Sequence, residues 1–426
     1  MSRAEAVIEH VEREEVATLA EELVRIQSPT GEEADIAEFI LCWLEEQAGM
    51  KPIKQEIEPG RFNAIGKFRG SKSGDGNSLL FNGHIDTSQF GIEHEDFLIH
   101  GDGVPDVTPR REDGKLYGTG ALNDKGPTAA TMIAAKALND AGVELGGDLY
   151  VTAVAGELGK APVDEFQGPR YRGHGIGARH LVDNGVTADY AIVAENSEWG
   201  VVYGLPGAIY LKITVPGVSK YIPNIDYTTV RDEHALFESM DLIEHIYDWA
   251  QSYTTDNTVK YDGREIVPNV NVGAFRSGHP AKPNYQSGIG QLYIDIRTPP
   301  NRTLQSVRNE FTRMVRETNP DAEVECYRAL PGYAQSRSVD DQIDTLVSQI
   351  EESYQSVFDQ SVPEPPTYQN SKWNDNNIFV SKGIPTAKIA PGHPGDLKGG
   401  ATVEIDQLVD AAKLYTKCAL SICGSA

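Results

Sequence analysis

The sequence is short of positive charge, poor in cysteine and without an apolar run of membrane-spanning length. Lysine and arginine number 38 against 63 aspartates and glutamates, a formal net charge of −25. Such a chain repels nucleic-acid phosphates and anionic lipid, so neither is an expected partner. The four cysteines, Cys42, Cys326, Cys418 and Cys423, include no CxxC pair, which excludes a disulfide framework and a cysteine metal site. The opening MSRAEAVIEHVEREE reads as a charged amphipathic helix with no signal-peptide core. Internal repeats and low-complexity segments are also lacking. A soluble, cytoplasmic protein is expected.

The acid is dispersed, on helix faces (EREEVATLAEE) and in loops (IEHEDF), as in halophilic proteins whose surface carboxylates hold water and counterions. A length of 426 residues exceeds one typical domain. Helical periodicity over residues 4–27 breaks at SPTGEE and restarts to about Gln47. Strand signals follow at KPIKQEIE, RFNAIGKF and SLLFNGH, then a polar loop over 88–117. Helix PTAATMIAAKALNDAG, strand DLYVTAV and strand DYAIVAE come next. From about 208 the texture changes to strands and two helices, AIYLKITVPG to AEVECYRA, and after 330 the first texture resumes. The pattern predicts an α/β domain over 1–207 and 331–426, interrupted by an α+β domain over 208–330.

Chemistry concentrates where apolar strands end. His84 and Asp86, in NGHIDT, follow a strand and share a face, so Asp86 can orient a ligating imidazole. Read alone, His84 is equally a satisfied loop histidine. Asp124, in YGTGALNDKG, is bracketed by glycines ahead of a helix, where a plain helix cap is the alternative. Glu157 and Glu195 each follow an apolar strand. Successive strand ends delivering imidazole and carboxylates point to Zn²⁺, Co²⁺ or Mn²⁺.

Taken in order, NGHIDT, YGTGALNDKG, Glu157, Glu195 and NDNNIFVSKGIPTAKIAPG resemble the co-catalytic zinc amidohydrolase and peptidase family of aminoacylase, acetylornithine deacetylase, succinyl-diaminopimelate desuccinylase and glutamate carboxypeptidases. The resemblance covers nearly the whole chain. It implies a mixed-sheet metallopeptidase-like catalytic domain with an inserted lid through which two copies form a homodimer. It implies that His84, Asp124 and Glu195 hold one metal, that Asp124 bridges to a second held by Glu157, and that Asp86 is the catalytic group behind His84. It places a cis peptide at Asp124–Lys125. In the lid, Arg297, Asn284 and Tyr221 fall at positions that contact substrate. Arginine's planar fork suits a carboxylate, although an ion pair with the nearby acid is the alternative for Arg297.

Three positions depart from that pattern. The family places two adjacent acids where this chain has Gly156-Glu157, so the general base is missing; Asp164 and Glu165 are conceivable replacements. Tyr221 stands where the lid carries histidine. The last metal histidine is absent from IAPGHPGDLKGG, where Leu397 or Lys398 aligns, leaving His393, or Asp396, as substitute ligand. The expectation is a metal-dependent amidohydrolase, with one or two metals, acting on an N-acyl amino acid or small peptide. The alternative is a catalytically reduced relative that binds a small ligand or a protein partner.

Overall fold

The computed structural model describes residues 3–71, 76–103, 107–261, 264–333, 340–392 and 401–424. Ten strands make its two principal sheets: β1 Lys51–Glu58, β2 Arg61–Phe68, β3 Leu79–His84, β4 Leu149–Val154, β5 Tyr190–Val193, β6 Gly207–Pro216, β7 Val270–Ser277, β8 Ile289–Thr298, β9 Glu323–Leu330 and β10 Thr386–Lys388. The chain divides into two units. One comprises 1–203, 336–369 and 374–426, the other 204–335 and 370–373. The second unit thus starts four residues earlier and ends five residues later than the sequence texture placed it, and a four-residue return at 370–373 was unforeseen.

In the first unit the strand order is β1-β2-β4-β3-β5-β10. β1, β2 and β4 run antiparallel in sequence, whereas β4, β3, β5 and β10 pair in parallel. β3 (LLFNGH) and β4 (LYVTAV) are buried at every residue, as parallel strands covered on both faces must be. Helices Arg13–Arg25, Lys125–Asp140 and Ile405–Cys423 pack together on one side; Ala34–Glu46 and Ile176–Asp183 pack on the strands from the other. Helix Lys125–Asp140 is buried along nearly its whole length. Its alanines and Gly126 permit that close approach.

In the second unit β7-β8-β6-β9 form an antiparallel sheet. Helices Ala235–Asn257 and Leu304–Thr318 share a core with it through Leu242, Ile246, Phe311 and Val315 against Leu211, Ile213 and Ile294.

Two local expectations need correction. The first predicted helix is two, Arg3–Ile8 and Arg13–Arg25, because Glu12 is extended (φ −91°, ψ 129°) and Val11 turns inward to be buried. The segment 88–117 is not all loop. It contains helix Glu93–His100, whose first turn is acidic and whose end is closed by Gly101 at φ +56°. It also contains the hairpin Arg110–Glu112 with Lys115–Tyr117, turned by Asp113-Gly114 at φ +49° and +77°. Asp-Gly is the residue pair that such a tight turn selects.

Candidate active site

Parallel register brings the functional side chains to one level. His84, the last residue of β3, pairs with Val154 of β4, and Asn82 pairs with Val193 of β5. Glu157 and Glu195 therefore leave their strands at the same sheet edge as His84. That edge, at the strand carboxyl ends, is where open α/β sheets hold ligands.

The imidazole is fixed from both sides. His84 Nδ1 lies 3.1 Å from the Asp86 carbonyl oxygen and 3.3 Å from Asp86 Oδ1. Nε2 lies 3.1 Å from Asn123 Oδ1 and 3.9 Å from Glu157 Oε2. Burial opposes a charge on His84, but the Asp86 contact and the carboxylates of Glu157 and Asp124 outweigh it and hold its pKa well above the ordinary value. Asp86 is itself fully buried and accepts from Thr30 Oγ1 at 2.7 Å, Glu157 N–H at 2.9 Å and Leu158 N–H at 3.3 Å. Burial pushes its carboxyl up, yet the His84 contact and these donors win, bringing it down to about 2.

The remaining carboxylates are crowded and partly unpartnered. Asp124 Oδ2 accepts the backbone N–H of His84 at 3.1 Å. Asp124 Oδ1, Glu195 Oε2 and Asp375 Oδ1 are buried without a hydrogen-bond partner. Burial raises Glu157 well above its usual range, reinforced by repulsion from Glu195. Asp124 is likewise held high by burial, against the pull of His84. Asp375 stands just before helix Asn376–Ser381, makes no side-chain bond to that helix's N–H groups, and accepts from Asn82 Nδ2 at 3.1 Å; burial pushes it up to about 7.

Three features were missed in the sequence. The side chain that meets His84 Nε2 is Asn123, while its neighbour Asp124 reaches His84 through the backbone. The cis peptide lies correspondingly at Asn123–Asp124 rather than at Asp124–Lys125. Lys388, in TAKIA, is completely buried, with Nζ 4.0 Å from Glu195 Oε1 and 3.4 Å from Gln369 Oε1. A charged residue inside an apolar strand was the available signal.

The third feature is the neighbourhood of Gly156. Its φ is +67°, and a Cβ there would lie 2.1 Å from Arg61 Nη2, 2.7 Å from Ile176 Cγ2 and 3.0 Å from the Arg172 carbonyl oxygen. Arg61, 1% exposed, is held by Glu33 Oε1 at 2.7 Å and by the Arg172 carbonyl oxygen at 2.7 Å. Burial and repulsion from Asp86 push Glu33 up to about 6, against the opposing pull of Arg61. The room a second acid would need is thus filled by a guanidinium. Asp164 and Glu165 are exposed.

Arg297, Asn284 and Tyr221 belong to the second unit. Arg297 Nη2 pairs with Asp295 Oδ2 at 2.8 Å. Tyr221 is exposed against the Tyr285 ring, at 5.4 Å between centroids, and the Asn284 carbonyl accepts the Ile222 N–H at 3.0 Å. His393 and Asp396 lie outside the described residues.

The donor chemistry fits a divalent cation. An imidazole nitrogen beside buried, unpartnered carboxylate oxygens is costly without a cation. The oxygen nearest His84 Nε2 belongs to the neutral amide of Asn123, with the Glu157 carboxylate beyond it. Among the described residues no three His, Cys, Asp or Glu side chains converge as a ready-made ion site.

A family model described as peptidase family M20/M25/M40 matches residues 80–421. The chain belongs to that family. It is 31% identical over 190 residues to N-formyl-4-amino-5-aminomethyl-2-methylpyrimidine deformylase of Bacillus subtilis, a match spanning 44% of this chain but only 39% of that protein. It is 25% identical over 305 residues to [LysW]-lysine/[LysW]-ornithine hydrolase of Sulfurisphaera tokodaii, covering 70% of this chain and 69% of that protein. Human carnosine dipeptidase 1 shares the fold with TM-score 0.72 at 15% identity, covering 99% of both chains. An M20 family metallo-carboxypeptidase from Sulfolobus solfataricus does so with TM-score 0.65 at 16% identity, over 96% of this chain and 99% of that one. Membership of this metallopeptidase family implies dependence on a divalent metal. No helix among the described residues is long and apolar enough to cross a membrane.

Proposed function

We propose that the chain is a divalent-metal-dependent amidohydrolase that cleaves the C–N bond of an N-acyl amino acid or small peptide. The observation that carries this reading is the His84 imidazole, fixed by Asp86 through Nδ1 while Nε2 faces Asn123 and Glu157. His84, Glu157 and Glu195 would hold the ion, with Asp124 offering its unpartnered Oδ1; zinc suits this donor mix, and cobalt or manganese share the preference. When bound, such a cation polarises the scissile carbonyl and acidifies water. The chain's own part is to hold and move protons. Asp86 would keep the proton on Nδ1, leaving the Nε2 proton as the one that a bound cation displaces. Asp375, raised by burial to about 7, is the carboxyl suited to carry a proton near neutral pH.

Arg297, Asn284 and Tyr221 are the side chains we assign to the substrate, with Arg297 exchanging Asp295 for the substrate's carboxylate. A homodimer formed through the second unit accords with its exposed Tyr221, Ile222, Tyr285 and Ile289. A cytoplasmic setting accords with four free cysteines, and a salt-rich one with the charge of −25.

Asp86→Ala tests the reading. Loss of the group behind the metal-facing histidine costs about 10–100-fold in metal affinity or activity. The check is amine release from a panel of N-formyl and N-acetyl amino acids and dipeptides, with metal affinity measured beside it. A second reading, a catalytically reduced relative that binds a small ligand or partner, is favoured by Arg61 filling the space at Gly156. Binding of panel members without turnover would select it.

A further inference from the structure

The connection from helix Arg13–Arg25 to helix Ala34–Glu46 carries SPTGEE, residues 28–33, which the proposed chemistry leaves unused. Connections of this kind ordinarily run over the surface with their polar groups in water. Here Ser28, Thr30 and Glu33 are each 0% exposed. Ser28 Oγ donates to the Ile85 carbonyl oxygen at 2.6 Å, and the Thr87 N–H donates to the Ser28 carbonyl oxygen at 2.9 Å. Pro29 and Thr87 form a parallel bridge. The connection therefore runs beside Ile85-Asp86-Thr87, directly after His84, and grips that stretch on both sides of Asp86.

Thr30 completes the grip. Its Oγ1 lies 2.7 Å from Asp86 Oδ2. An ionised carboxylate only accepts, so the hydroxyl is the donor. The second donor to Oδ2, the Leu158 N–H, stands at 3.3 Å, a long bond. Oδ1 accepts the Glu157 N–H at 2.9 Å and lies 3.3 Å from His84 Nδ1. A hydroxyl bonded to a buried carboxylate is a strong, charge-assisted donor, so the short Thr30 contact dominates at Oδ2. Without it, one long bond is left to keep the carboxylate from rotating away from the imidazole.

We infer that Thr30 is a positioning residue of this centre: its hydroxyl fixes the rotation of the Asp86 carboxylate and, through Asp86, the aim of His84 Nε2. The inference rests on the metal-dependent reading above and adds a residue that tunes affinity for the ion. Thr30 acts only through Asp86.

The test is a double-mutant cycle on Zn²⁺ affinity, measured against a competing chelator in stripped full-length protein, with the melting temperature of each ion-free variant beside it. Thr30→Val keeps the branched shape and removes the donor; it weakens zinc binding by about tenfold, the lower end of what loss of a ligand-orienting group costs. Thr30→Ser, which keeps the hydroxyl, binds zinc as wild type does. Thr30→Val combined with Asp86→Ala binds no more weakly than Asp86→Ala alone, because the two side chains act as one unit. Should Thr30→Val fail to fold, Thr30→Ala takes its place in the cycle. Wild-type affinity in the donor-less variant overturns the inference and leaves the metal-dependent reading standing. So does a Thr30→Ser as weak as Thr30→Val, or a double variant in which the two losses add. No zinc bound by wild type removes the metal-dependent reading and the inference with it.

Discussion

Arg61→Met lowers folding stability by about 3–5 kcal/mol, the usual cost of stranding one member of a buried ion pair. Arg61 and Glu33 are 1% and 0% exposed at the side chain, and Arg61 also accepts no substitute from solvent for its bonds to the Pro169 and Arg172 carbonyl oxygens. The variant leaves Glu33 buried beside Asp86 with no counter-charge. Its carboxyl already sits at about 6 with Arg61 in place, raised by burial and by Asp86, and losing Arg61 raises it further. The sign follows from proton linkage. A carboxyl with a raised pKa in the folded state binds more protons there than in the unfolded chain, so stability falls as pH climbs through that window. The deficit in Arg61→Met is accordingly larger near about pH 8 than near about pH 5. Urea unfolding at both values reads it, and Arg61→Met combined with Glu33→Met recovers much of the loss. Equal deficits at the two pH values would contradict the pairing.

Gly156→Glu rebuilds the adjacent acid pair, yet it destabilises the chain by about 2–5 kcal/mol and restores no rate. Two penalties combine: crowding of a packed interior, about 1–3 kcal/mol, and a non-glycine residue in the left-handed region, about 1–2 kcal/mol. Both are visible at this position, with φ at +67° and Arg61 Nη2 within 2.1 Å of where the Cβ would sit. The measurements are the urea midpoint and amine release on the panel that tests the proposed function. A stable Gly156→Glu with faster turnover would mean that the space is open to an acid and that the guanidinium does not occupy it.

Both predictions turn on a feature that the sequence does not display. Gly156 was readable as a missing acid through the family resemblance, which places two adjacent acids where this chain has Gly156-Glu157. What fills the gap was not readable, since Arg61 and Glu33 come from distant segments and meet only through tertiary packing. The strand ends carrying His84, Glu157 and Glu195 were legible because each follows a continuous apolar run that only a doubly covered parallel strand explains. Asn123 and Asp124 were harder. They are neighbours in one motif, and which of them turns to His84 Nε2 depends on the backbone path between strand and helix. Lys388 was hidden for another reason: an apolar strand with one lysine reads as an edge with its ammonium in water, whereas β10 buries it. The helix Glu93–His100 was masked by its own acidity, and the Asp113-Gly114 hairpin by its short strands.

The central claim is that a divalent cation held at His84, Glu157 and Glu195 is needed for amide cleavage. It is tested most directly by assaying amine release from N-formyl and N-acyl amino acids in protein stripped by chelator and then given back Zn²⁺, Co²⁺ or Mn²⁺. The account predicts turnover that vanishes on stripping and returns with the added ion, but not in His84→Ala. Turnover that survives stripping, or that His84→Ala retains in full, would contradict it.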